Sequence, residues 1–424
     1  MTKENLSDYR QVSEKTKFLI LSIFPIASIL LAFFVSDFSS IINGLYKIII
    51  QPDVLLTDYI KIGGLGATLI NSALLFLINI FFLWKLKFHI GGLPISAIFI
   101  IAGFAFFGKN IFNVWPIYIG GYLYAKYEKK SYNSVIIISM FGTALAPMIF
   151  EVARALSPSN YWGLIIGFIA GIMIGFFLPP ISAHIIRAHD GYNLYNVGFA
   201  AGFIGTVVMS FMKSHGFTNE PRMILSNEYD LLLKIFLTLF FSLLIIIGYL
   251  LDKKNLIKGY SKIIKLSGRL VADFAYTSGF GVTLVNMGVM GLIGLTYVII
   301  SKGVMNGPIV GALLTIVGFS AFGKHPRNSI PIMIGVFLAS TLNVWDTSST
   351  TVIIAALFGT SLAPIAGEYG PVGGIIAGFL HLAVTMNVGV LHGGINLYNN
   401  GFSAGIIATL LVPMLDVFRR RKDH

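Results

Sequence analysis

Two lysines and two threonines occupy matching places in a chain that is otherwise strongly apolar. Lys109 and Lys324 each follow a Phe-Gly pair, and an ammonium group inside a membrane protein favours an anionic or strongly polar solute. Thr143 and Thr360 each stand four residues before a proline, which leaves a backbone carbonyl free to face a cavity. We predict that these four residues bind substrate. The alternative for each threonine is a bond to its own helix backbone at a packed kink.

Two histidines each begin a glycine-containing turn that is followed by the sequence Asn-Leu-Tyr-Asn. Imidazole and amide groups bind small polar solutes, and histidine exchanges protons near neutral pH. Asp190 follows the first histidine but Gly393 follows the second, so a paired His-Asp relay is not expected. The alternative is that the asparagines cap the last helix. The predicted binding set adds both histidines and their asparagines: His189, His392, Asn193, Asn196, Asn396 and Asn399.

Two glutamates also recur, Glu151 and Glu368, each farther along the same apolar segment as a repeated threonine. Acidic groups there are costly unless they are hydrated or paired. We predict that they guard two vestibules or carry a coupling proton. The alternative is that they are interfacial carboxylates paired with neighbours such as Arg154.

These residues recur because the chain contains one unit twice. The stretch HDGYNLYNVGFAAG from His189 returns as HGGINLYNNGFSAG from His392, with ten of fourteen positions identical, and three further blocks also repeat, so that all four offsets lie between 203 and 217 residues. An internal repeat of this kind defines the organisation of the chain. We predict copy one at 17–212, a linker at 213–231, copy two at 232–415, and cytoplasmic tails at 1–16 and 416–424.

The composition predicts an all-α polytopic membrane protein, because 56% of the residues are hydrophobic, 11% are charged and apolar runs of about twenty residues recur. The net charge of +12 reflects basic loops and tails, so the expected partners are a lipid bilayer and a small solute, not nucleic acid. Homo-oligomerisation is left open. Copy one contains seven apolar segments, at 17–37, 60–84, 91–108, 111–125, 134–156, 162–187 and 191–212.

The third and fourth segments are short in both copies, at 91–108 with 111–125 and at 306–323 with 328–340. They form either a re-entrant hairpin, which brings both lysines into the interior, or two spans, which leave the lysines at the interface; length slightly favours two spans. Both choices give an odd number of crossings, five or seven per copy. The second copy is therefore expected to be inverted relative to the first.

Loop charges support the inversion, because the same loop is basic in only one copy. Lys126, Lys129 and Lys130 follow the fourth segment of copy one, whereas the equivalent loop around Asp346 has no basic residue. The positive-inside bias then predicts a multi-pass protein of the cell membrane with both termini in the cytoplasm.

Signatures of enzymes and metal sites are sparse. The chain has no cysteine, which excludes disulfides and thiolate metal sites, and it lacks the common zinc-protease, hydrolase and Walker motifs. We therefore expect neither a cofactor nor an enzymatic activity.

The HGGINLYNNGFSAG and FGT-x-LAP motifs, the latter beginning at Phe141 and Phe358, resemble a bacterial family of uncharacterised polytopic membrane proteins, domain of unknown function 1576, over the whole chain. That resemblance implies no substrate. The predicted architecture is also similar to that of urea transporters, although their proline-rich signature is not found. In them two inverted halves carry short pore helices and threonines meet at the centre of a pore, which implies a channel-like mechanism.

Together these features predict a secondary transporter of a small polar or anionic solute that works at the interface of two inverted repeats. The alternatives are a channel-like facilitator and a membrane-embedded enzyme.

Overall fold

The computed structural model describes residues 12–51, 56–156, 161–217 and 222–420. The outer parts of both predicted tails and residues 218–221 of the predicted linker lie outside the described residues. Within the described ranges the chain is helical and contains no strand, apart from an isolated bridge between Thr57 and Ile224.

Nineteen α-helices are present in the described part of the chain. The first ten are α1 Glu14–Leu21, α2 Ile23–Val35, α3 Phe38–Ile50, α4 Tyr59–Lys85, α5 Gly92–Phe104, α6 Trp115–Tyr127, α7 Ile136–Gly142, α8 Pro147–Leu156, α9 Tyr161–His189 and α10 Asn196–Ser214. The others are α11 Asp230–Asp252, α12 Leu256–Lys265, α13 Phe274–Ser278, α14 Phe280–Ile300, α15 Gly307–Phe319, α16 Pro326–Leu342, α17 Thr350–Gly359, α18 Ala363–His392 and α19 Asn399–Arg420.

The structure confirms an all-helical, multi-pass membrane protein. Eight helices of the described chain are long and apolar enough to cross a membrane, or nine if the bent pair formed by α7 and α8 counts as one span. Helix α18 is broken at Gly370, whose φ of 84° is a conformation that glycine adopts readily. Two helices, α3 and α12, lie where only loops were expected. Each is too short to form a span, and α12 combines one apolar face with several lysines.

Helices α5 and α15 pack against each other at the centre of the molecule and run in opposite directions. A Cβ atom on Gly92 would lie 2.5 Å from the Ala321 carbonyl oxygen, and one on Gly307 would lie 2.6 Å from that of Phe106. One turn from the Gly307 end of the pair, a Cβ atom on Gly103 would lie 2.6 Å from the carbonyl oxygen of Gly311. The two backbones approach this closely because glycine has no side chain.

The segments that contain α5 and α15 are hairpins with buried tips. Each helix has 13 residues and is therefore about 20 Å long, less than the roughly 30 Å of a hydrocarbon core. The first hairpin consists of α5 and α6. The amide of Asn133, after α6, donates to the carbonyl of Leu86, before α5, so this hairpin begins and ends on the same face. In the second hairpin, formed by α15 and α16, a bond between Asn306 and Thr350 joins the two ends in the same way. The shortness of α5 and α15 favours the re-entrant hairpin over the two full spans that the length of the apolar segments slightly favoured.

The helix ends collect on two opposite faces. Lys17 bonds the carbonyl of Ile90, Gly92 bonds Asp273, and Arg419 pairs with Glu368, so both described ends of the chain lie on the same side. Face A consists of residues 86–91, 128–134, 190, 266–273, 367–369 and 416–419. Face B consists of residues 56–58, 222–226, 301–307 and 343–350.

Candidate functional site

A cavity of about 540 Å³ opens at face A and reaches the centre of the protein. Its mouth is formed by Phe88, Asn133 and the segment 270–273, and its inner end is formed by Tyr195 and Tyr398. Between them the walls are mainly apolar and include Leu93, Ile100, Ile137, Phe141, Phe319 and Phe322. The cavity therefore suits a solute with an apolar body and leads to two phenolic hydroxyl groups.

Both predicted lysines lie behind these tyrosines and are fully buried. The Nζ atom of Lys109 donates to the hydroxyl of Tyr398 at 2.8 Å, and that of Lys324 donates to the hydroxyl of Tyr195 at 2.6 Å. Each lysine therefore bonds a tyrosine of the other copy. The interfacial placement expected for two full spans is wrong, because the hairpin tips are inside the protein.

Aromatic rings surround the two ammonium groups. Lys109 lies 5.1 Å from the ring centroid of Phe104, and Lys324 lies 5.2 Å from that of Phe319; the bonded tyrosine rings are at 5.0 and 4.5 Å. Such contacts partly offset the loss of hydration of a cation. In the part of the chain that the structure describes, neither lysine interacts with a carboxylate. Among the described residues, the site thus holds two buried lysine amines and no acidic partner.

Two asparagines hold the lysine-bearing turns in place. The amide of Asn71 donates to the carbonyls of Ala105 and Lys109, and that of Asn286 donates to the carbonyls of Ser320 and Lys324, all at 2.7 to 2.9 Å. These bonds satisfy carbonyls that the helix ends leave unpaired. The sequence analysis did not assign these asparagines a function, although each ends a repeated block that begins at Asp58 or Asp273.

The repeated threonines do not lie on the cavity wall, and only Thr360 is seen to bond a lysine. Both hydroxyls donate to their own helix, Thr143 to the carbonyl of Met140 at 2.6 Å and Thr360 to that of Leu357 at 2.5 Å. Thr360 also accepts a bond from Lys324 at 2.8 Å. Neither threonine is among the described residues that line the cavity.

The histidines bond mainly to the asparagines of their own motif. His189 Nε2 lies 2.9 Å from Asn196 Oδ1, and His392 Nδ1 lies 2.5 Å from Asn399 Oδ1. The second ring nitrogen of His392 bonds the carbonyl of Gly202, in copy one. These contacts place both imidazoles against the backbone of the motif, outside the cavity wall as the structure describes it.

The other two asparagines position the tyrosines. The side-chain oxygen of Asn193 accepts the backbone N–H of Tyr195, and that of Asn396 accepts the backbone N–H of Tyr398, both at 2.9 Å. The sequence analysis selected the asparagines of Asn-Leu-Tyr-Asn and passed over the tyrosine between them. Its recurrence in both copies was the available signal.

The glutamates lie apart from the tyrosines and are paired with arginines. Glu151 is buried and lies 3.1 Å from Arg154, whereas Glu368 is partly exposed on face A and lies 2.6 Å from Arg419. Within the four described ranges, no group of three His, Asp or Glu side chains is placed to hold a metal ion.

Comparison with known proteins identifies one family. A family described as a protein of unknown function, DUF1576, matches residues 38–214 and 252–417, which together form most of the chain. No curated protein and no solved structure matches the chain significantly. The chain belongs to the DUF1576 family.

Proposed function

We propose that this protein is a secondary transporter of a small organic anion, which binds between two inverted copies. The observation that carries the proposal is the pair of buried lysines, Lys109 and Lys324, at the inner end of a cavity open to one face. A buried ammonium group is costly unless an opposite charge offsets it. Because the described site supplies no carboxylate, the solute is the natural source of that charge.

The directions of equivalent helices support inversion. Helix α4 runs from face B to face A, whereas its counterpart α14 runs from face A to face B. The pair α5 and α15 is likewise antiparallel. Equivalent helices run in opposite directions when the copies are related by an axis in the membrane plane, an arrangement with a central substrate site.

The charge distribution supports a cytoplasmic position for face A. Its loops and the adjoining helix ends carry Lys85, Lys87, Lys126, Lys129, Lys130, Lys265, Arg269 and Arg419. Basic residues in short loops favour the cytoplasmic side. The cavity would then open to the cytoplasm.

The shape of the cavity supports a transporter over a channel. A channel needs a continuous path, and this cavity ends at Tyr195 and Tyr398. Its apolar walls and cationic inner end suit an anion with an apolar body. Movement of one copy against the other would expose the lysines to face B in turn.

The proposal is tested by removing each ammonium group. Lys109→Gln and Lys324→Gln should each weaken anion binding by at least about thirtyfold, since loss of one partner of a buried charge pair costs about 2–5 kcal/mol. Binding is measured by thermal shift on purified protein with chloride, acetate, benzenesulfonate and succinate. Lys126→Gln, which changes an exposed lysine, is the matched control.

Anion binding that is equal in the wild type and both buried-lysine variants would refute the anion site. Uptake of labelled benzenesulfonate into proteoliposomes then separates the mechanisms. A coupled transporter loses accumulation when a proton ionophore is added, whereas a channel-like facilitator does not. Conversion of the solute in detergent would instead indicate an enzyme.

A further inference from the structure

Lys109 with Tyr398 and Lys324 with Tyr195 form two half-sites. These half-sites differ in the residue that lies behind each of them. In copy one, a Cβ atom on Gly142 would lie 2.3 Å from Leu178. In copy two, the equivalent Gly359 would meet His381 at 2.8 Å. Leucine and histidine thus occupy the same place in the repeated unit, so one half-site has a titratable group that the other lacks.

His381 is joined to the Lys324 half-site on two sides. Gly359, which it contacts, immediately precedes Thr360, and the Thr360 hydroxyl accepts a bond from Lys324. On its other side, Nε2 of His381 lies 3.1 Å from the side-chain oxygen of Asn400. Asn400 lines a small cavity between Tyr195 and Tyr398. The equivalent of Asn400 in copy one is Val197, which is apolar.

His381 is fully buried, and its Nδ1 atom has no hydrogen-bond partner. A buried polar atom without a partner calls for an explanation, and an exchangeable proton is one. Thr385, one turn along α18, lies 3.3 Å from Nε2 and supplies no charge.

Charged groups are sparse on the helices around His381. Helix α17 carries none, and α16 has only Arg327, in its first turn. The other titratable groups described on these helices lie toward the helix ends: Lys213 on α10, Glu368, Tyr369 and His392 on α18, and Asp416 and Arg419 on α19. A path of neighbouring residues, Gly359 and then Thr360, joins His381 to Lys324.

We infer that His381 is a proton-binding site that couples proton movement to anion movement. The inference rests on the proposed anion transport. A proton from water binds Nδ1, and the imidazolium then adds positive charge on the Lys324 side of the site, which is unfavourable until an anion enters. Proton and anion therefore bind cooperatively, each raising the affinity for the other. Release of the anion on the opposite face returns the proton to water there.

The leucine that copy one has in place of His381, Leu178, suggests the variant for the test. Wild-type uptake of benzenesulfonate into proteoliposomes should rise as pH falls between about 8 and 5.5, by up to about tenfold per unit for one proton. A dye in the lumen should report protons entering with the anion. Benzenesulfonate stays ionised throughout, so the pH dependence belongs to the protein. His381→Leu should take up the anion with a flat pH profile and no proton entry.

His381→Gln is the second variant, because it retains a polar contact with Asn400 but does not titrate; thermal unfolding verifies the fold of both. His184→Gln, at an exposed histidine, is the matched control and should behave as the wild type. A wild-type pH profile and proton entry in both His381 variants would overturn the inference and leave anion transport intact. Absence of uptake by the wild type would overturn the proposed function itself.

Discussion

Face A and face B are built from the same repeated sequence, but Val271 on face A is 97% exposed and its counterpart on face B, Leu56, is 3% exposed. Thr57 is also 3% exposed, and Asp58 is fully buried. The same block of the repeat therefore forms an open rim at one end of the molecule and a closed one at the other.

The segment between the two copies explains the closure. Leu56 donates its N–H to the carbonyl of Arg222 at 2.7 Å, and Ile224 donates back to the carbonyl of Leu56 at 2.9 Å. Asp58 accepts the N–H of Ser226 at 3.0 Å. A duplicated chain has one such connection, so only one face is covered by it. This one connection therefore accounts for the difference in access between two similar copies.

The largest expected effect is a difference in chemical access to the two rims. The chain has no cysteine, so Val271→Cys and Leu56→Cys each introduce a single thiol. We expect a membrane-impermeant maleimide in detergent to react at least about a hundredfold faster at position 271, since a buried site reacts only on local opening.

Val344→Cys, at a residue 94% exposed on face B, shows that the reagent reaches that face. Equal rates at positions 56 and 271 would contradict the closure of face B. A fast reaction at position 56 after addition of benzenesulfonate would instead show that the anion opens face B.

The second prediction compares the aspartates that begin the equivalent helices. Asp58 accepts three backbone N–H groups, from Ile60, Ser226 and Gly307, whereas Asp273 accepts those of Gly92 and Tyr276. Asp58→Ala should lower the free energy of unfolding by about 3 kcal/mol, because buried donors lose their acceptor. Asp273→Ala, at a half-buried cap, should cost about 1 kcal/mol.

Denaturant unfolding in detergent measures both changes. Burial raises the pKa of Asp58 to about 6, partly offset by its three N–H donors, so the measurement belongs at about pH 7.5, where the carboxylate is ionised. Asp58→Asn retains an acceptor and is the control. The Asp58→Ala change should also speed labelling at position 56; a larger loss for Asp273→Ala would reverse the comparison.

Much of the fold is accessible from the sequence, because long apolar runs identify spans directly. The hairpins were harder, since segments of 13 to 18 residues fit either a span or a turn, and the turn is fixed by contacts of Asn71 and Asn286 across the fold. Helix α12 was missed because an amphipathic helix has no long apolar run. Its apolar residues recur at helical spacing, which was the available signal.

The site was only partly accessible for a related reason. Recurrence in both copies selected Lys109 and Lys324, but spacing along one chain cannot show that each meets a tyrosine of the other copy. The same criterion excluded His381, because its counterpart is Leu178. A search for repeated residues finds what the half-sites share and misses what distinguishes them.

The smallest expected effect concerns the two glutamates, which lie toward opposite faces. Glu151 is buried beside Arg154, and Arg222 of face B also interacts with it; Glu368 is 31% exposed at its side chain and pairs with Arg419 on face A. An exposed ion pair contributes about 0–1 kcal/mol. Loss of a charged hydrogen-bond acceptor at a buried site costs about 1–3 kcal/mol. Glu151→Gln should therefore lower stability more than Glu368→Gln, and their effects on benzenesulfonate uptake should differ.

Unfolding and uptake assays of the two variants measure both contrasts, with Glu128→Gln, in an exposed pair with Lys130, as the control. Wild-type uptake in both variants would leave the glutamates a structural role only, and equal losses of stability would show that burial does not distinguish the two ends of the molecule.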